Sequence, residues 1–115
     1  MRQLRALALL PALALTACRS AFVTATVQNR TPQPIQLIEV DYPSASFGTQ
    51  SLAPGADFHY RFKVLGEGRL KLIYTDALHQ EKTFEGPVLK EGAEGPLTIT
   101  IVPNDVQWQD STSIH

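Results

Sequence analysis

The chain has 115 residues with a single cysteine, and its ten basic side chains nearly balance eleven acidic ones. That length holds one small domain. One cysteine excludes a disulfide framework, and a net charge of −1 is not the basic balance that nucleic-acid binding requires.

Met1 to Arg5 supplies two arginines, and Ala6 to Leu15 is an uncharged apolar run. A cationic start followed by a short greasy segment is the pattern of a secretory signal. Ten helical residues rise about 15 Å, half of a roughly 30 Å hydrocarbon core, and Pro11 interrupts even that, so the run is not a permanent span.

Leu15-Thr16-Ala17-Cys18 ends the run and holds the only cysteine. These four residues resemble the lipobox of bacterial lipoproteins. The resemblance implies that residues 1–17 are a signal peptide, that the Cys18 thiol receives a diacylglyceryl group, and that a peptidase then cuts just before it. Residues 18–21 become the lipidated cysteine and a short tether, and the membrane becomes a partner. Two or more acyl chains anchor stably, at about 0.8 kcal/mol per buried methylene. An unmodified thiol would be a liability in the oxidising compartment outside the membrane. In the familiar Gram-negative sorting scheme an aspartate after the cysteine retains a lipoprotein at the inner membrane, so Arg19 points to the outer membrane, and the expected location is the cell envelope.

Past the leader the body carries eight cations against eleven acids. No stretch sustains helical spacing for three turns, and Gly and Pro recur between short alternating runs, the pattern of an all-β domain over residues 22–109. Phe22 to Gln28 alternates as a half-buried strand. Only Arg19, Ser20 and Ala21 separate it from Cys18, a reach of roughly 10 Å, which sets the domain against its own membrane unless the first strand frays. Asn29 to Pro34 is a turn; the Asn29-x-Thr31 spacing matches a glycosylation acceptor by accident.

Ile35 to Tyr42 is the next strand, with Ile38, Val40 and Tyr42 on one face. Pro43 ends it, and an irregular connection through Phe47 leads to a short strand near Ser51. Pro54 and Gly55 occupy the central positions of a type II turn. Phe58, Tyr60, Phe62 and Val64 then alternate with His59, Arg61 and Lys63. A Leu-x-Pro-Gly turn running into an aromatic strand is similar to bacterial immunoglobulin-like and fibronectin-like sandwich domains, and the body resembles small uncharacterised lipoproteins of that kind. The likeness marks architecture and carries no functional residue.

Gly66 to Gly68 turns the chain into Arg69 to Thr75, which has Leu70, Leu72 and Tyr74 inward. Asp76 to His79 turns again into Gln80 to Glu85, and pairing Leu72 with Phe84 sets Lys71 opposite Glu85. Residues 86–96 read as loop, with a brief extended piece at Val88-Leu89. Leu97, Ile99 and Ile101 mark a core strand, Val106 and Trp108 a short edge strand, and residues 110–115 a disordered tail.

The expected fold is an immunoglobulin-like antiparallel β-sandwich of about seven strands. His59, His79 and His115 have no metal-ligand spacing; a weak cation site where Asp76, His79 and Glu81 converge at one hairpin tip is set against the ordinary polar make-up of such a tip. No serine stands in a nucleophile elbow. The expectation is a non-enzymatic protein without cofactor. Two readings remain. One is a tethered structural or interaction module that meets an envelope protein, with Arg61, Lys63, Arg69 and Lys71 as a cationic face, set against a solvated face compensated by its own acids. The other is a small-molecule or glycan-binding protein with a pocket around Tyr42, Phe47 and Trp108, set against rings that close the core.

Overall fold

Alternation at period two produces eight strands among the described residues, 21–114 of a computed structural model. They are β1 (Val23–Asn29), β2 (Ile35–Tyr42), β3 (Ala45–Leu52), β4 (Asp57–Phe62), β5 (Gly68–Thr75), β6 (Glu81–Leu89), β7 (Gly95–Val102) and β8 (Asp105–Asp110). The leader, the Leu15 to Cys18 stretch and its expected lipidation lie outside the described residues.

Two four-stranded sheets form a β-sandwich, one ordered β4-β1-β7-β8 and the other β3-β2-β5-β6. Each sheet buries one face. Val23, Ala25, Val27, Leu97, Ile99 and Ile101 from the first meet Ile38, Val40, Leu70, Leu72 and Tyr74 from the second. Each fully buried aliphatic side chain contributes about 1.5–3 kcal/mol. Without disulfides in the described body, this layer and the ladders hold the domain.

One pairing departs from the antiparallel expectation. β1 lies parallel to β7, with Val27 beside Ile99, and antiparallel to β4 on its other side. Parallel neighbours need a long connection, and five strands of intervening chain supply it. The first strand is therefore central in its sheet.

Two stretches read as irregular are strands. After the tight turn at Pro43 and Ser44, β3 pairs with β2 from Tyr42–Ala45 to Ile35–Leu52. β6 continues through Gly86 and Pro87 because the register slips between Arg69 and Lys71, so those two residues bulge out of the ladder. β6 is an edge strand, where a proline lacking its N–H is tolerated. The tail also departs from expectation. The Ser111 N–H donates to the Pro96 carbonyl at 3.1 Å, and Glu94 and Ser113 exchange backbone bonds at 2.9 Å. These bonds tie residues 111–113 to the start of β7, where a disordered tail was expected.

The Pro54–Gly55 turn has the expected form, with Gly55 at φ 79° and the Ala56 N–H donating to the Ala53 carbonyl at 3.0 Å. Positive φ at this position is what selects glycine. Asn29 fixes the neighbouring turn. It is fully buried, its amide donates to the carbonyls of Gln33 (2.9 Å) and Leu52 (3.0 Å), and its Oδ1 accepts from the Thr31 N–H and hydroxyl. A side chain so committed is closed to glycosylation in the folded domain.

Candidate functional site

The strand order separates the residues expected to form a ligand pocket. Tyr42 and Phe47 join Phe58, Tyr60 and Phe62 along the flank where β3 faces β4: Tyr42 and Phe62 centroids are 4.2 Å apart, and Phe47 stacks on Tyr60 at 4.5 Å. Trp108 lies on β8, on the opposite flank, its indole laid against Gly86 of β6. The three rings do not share a pocket. Phe47 is only 7 % exposed and belongs to the core cluster, with Tyr42 and Trp108 packed against its margins. Burial raises the Tyr42 hydroxyl above its ordinary pKa, with the Tyr60 hydroxyl adding to the effect.

The cationic face is divided as well. Arg61 is on the outer side of β4 in one sheet, and Lys63 follows that strand, whereas Arg69 and Lys71 are on β5 in the other. Alternation tells which residues of a strand share a side but not which layer the strand joins, so the four cations that it groups on one surface lie on two. Around Lys71 the surface is acidic. Asp41 pairs with it from β2 and Glu85 from β6, and Glu39 beside them has its carboxyl raised above the usual range by a hydrogen bond and repulsion from Asp41. The Lys71–Glu85 register is the one the sequence predicts. Arg69 donates to the Gly86 carbonyl at 2.8 Å, and Arg61 lies 4.2 Å over the Phe22 ring. Each has a local partner.

At the β5–β6 tip the Asp76 carboxylate accepts the N–H groups of Leu78 (2.9 Å) and Gln80 (3.0 Å) and lies 3.5 Å from the Lys82 ammonium. Those bonds, the one from Gln80 foremost, hold its pKa below the ordinary aspartate value. Asp76 is thus the cap of the hairpin. Among the described residues no three His, Cys, Asp or Glu side chains stand together as a metal site.

The concavity that best fits a docking role was not legible in the sequence, because three separate turns build it. Thr31 and Pro32 from the β1–β2 turn, Ala77 and Leu78 from the β5–β6 tip, and Pro103 and Asn104 from the β7–β8 turn surround a cleft of about 250 Å³ over Ile35 and Tyr74. Its wall is mostly apolar. Lys82 braces it by donating to Asn104 Oδ1 at 3.3 Å while facing Asp76. Leu78 stands at the rim 76 % exposed, held out by the Asp76 cap and by His79 at φ 61°. The exposed leucine and the apolar recess beside it form one continuous surface feature. This cleft opens at the end of the sandwich away from Val23, since β1 and β7 both run toward it.

No protein family and no curated protein matches the sequence. Among solved structures the fold is similar to the NMR structure of the protein from Eubacterium rectale, with a TM-score of 0.61 and 14 % identity over 80 % of this chain and 90 % of that one. The likeness is one of fold, a β-sandwich built from two layers.

Proposed function

We propose that this chain is a membrane-anchored lipoprotein of the bacterial envelope that acts as a non-catalytic structural or interaction module, presenting its far end to an envelope protein. The observation that carries the reading is Leu15-Thr16-Ala17-Cys18 at the end of an uncharged apolar run, five residues before the first strand. The distal cleft with its projecting Leu78 supports the interaction role. Within this proposal the sandwich is of immunoglobulin-like type, a reading favoured by a chain that passes repeatedly between the two layers.

The test has two arms. Intact mass of the product from the native envelope should show a diacylated or triacylated Cys18, and Cys18→Ser should release the exported domain from the membrane fraction. A photo-cross-linker at position 78 should capture one envelope protein, and the same cross-linker at Thr98, on an outer sheet face, should not. An unmodified thiol overturns the anchor; equal capture from both positions overturns the docking end.

A further inference from the structure

We infer that the Val23 end of the sandwich is a lipid-seating surface, on which Leu65, Val88 and Ile114 enter the bilayer that holds the anchor. The inference rests on the proposed acylation of Cys18 and goes beyond it, because an anchored domain need not touch its membrane.

Chain length sets the first constraint. From Cys18 to Val23 there are five Cα steps, about 18 Å at full extension. The leash is not lengthened by peeling β1, because β1 is bonded on both sides, to β4 and to β7, and its Val23, Ala25 and Val27 side chains are buried in the core. The body therefore stays within one tether length of the anchored sulfur.

The second constraint is the chemistry of the end that faces that anchor. Phe62 pairs with Val23 and Gly95 lies beside it, so the β4–β5 and β6–β7 connections and the tail after β8 all gather there. Three of the six exposed large apolar side chains among the described residues gather with them: Leu65 at 57 %, Val88 at 44 % and Ile114 at 53 %. Val88 and Ile114 border one shallow groove with Leu89 and Ala93. Leu65 is held on a braced loop, where the Gly66 N–H donates to Glu91 at 2.8 Å and the Gly92 N–H to the Val64 carbonyl at 3.2 Å. The charges at this end lean acidic, with Lys63 and Lys90 among Glu67, Glu91 and Glu94 and with Asp110 lining the groove itself. Seating is accordingly driven by apolar contact and not by attraction between charges. A strand of eight residues spans roughly 25 Å, so Leu78 at the other end stands clear of the lipid.

The test uses the full acylated chain. Acylation consumes Cys18, the only cysteine, so Leu65→Cys, Ile114→Cys and Leu78→Cys each carry one free thiol for an environment-sensitive fluorophore. After intact mass has verified the acyl groups, each labelled protein is reconstituted into phosphatidylethanolamine–phosphatidylglycerol vesicles with nitroxide-bearing lipid. Labels at 65 and 114 should be quenched at least twofold more than the label at 78, and the difference should persist at high salt. Equal quenching at the three positions, or a difference abolished by salt, overturns the seating while leaving the anchor intact. Absence of the acyl groups removes the anchor and this inference together.

Discussion

Gly86→Ala tests the packing of the β6–β8 flank, because the space a methyl group would need there is already filled by Trp108. A Cβ at position 86 would lie 2.6 Å from Cζ3 of the indole and 2.7 Å from Cε3 and Cη2, where ordinary contact begins near 3.4 Å. The ring must retreat by about 0.8 Å or tilt outward, and overpacking of this kind costs about 1–3 kcal/mol. For a domain of this size each kcal/mol lowers the melting temperature by about 4–8 °C. Trp108 is the only tryptophan, so its emission reports on the clash directly. Urea titration followed by fluorescence and far-ultraviolet circular dichroism should show coincident transitions at a lower midpoint, with redder native emission. In a Trp108→Leu background, where the bulky ring is gone, the same Gly86→Ala change should cost less than about 0.5 kcal/mol, a coupling expected only of groups in contact. If Gly86→Ala leaves both midpoint and emission unchanged, or costs as much without the indole, the packing argument is refuted.

Asn29→Ala should destabilise the domain by about 1–3 kcal/mol, because the buried Leu52 carbonyl loses its donor and the Thr31 N–H its acceptor; chemical denaturation measures it, and a loss below about 0.5 kcal/mol would contradict the assignment. Phe47→Ala should cost about 3–5 kcal/mol as a core truncation, seen as a lower midpoint in the same titration. At the hairpin tip the depressed pKa of Asp76 means that the cap's contribution is present above the ordinary aspartate value of 3.8 and is lost as pH falls through the lower folded value. Amide shifts of Leu78 and Gln80, followed by NMR, should therefore titrate together with a midpoint below 3.8.

Much of the architecture was legible because strand chemistry is local. Leu70, Leu72 and Tyr74 announce an inward face by alternation alone, and matching Leu72 to Phe84 recovers the register of the β5–β6 hairpin. The turn at Pro54 and Gly55 is legible for the same reason, since two adjacent residues specify it. Assignment of strands to layers is not local. Arg61 and Lys71 alternate in the same way, yet they belong to different sheets, and nothing within either strand says so. Gly86-Pro87 reads as a loop because its tolerance depends on being at an edge, and the cleft beneath Leu78 escapes notice because its walls come from turns some seventy residues apart in the chain, from Pro32 to Pro103.

The position of β1 has a mechanical consequence. A load arriving along the chain from the Cys18 side enters at Val23 and pulls in the strand direction against two neighbours, one parallel and one antiparallel. Inter-strand bonds lie across that direction, so both rows would have to slide and break together, whereas a hairpin peeled from its end opens one bond at a time. A pull entering at Val23 therefore loads two strand pairings at once instead of opening one from its end.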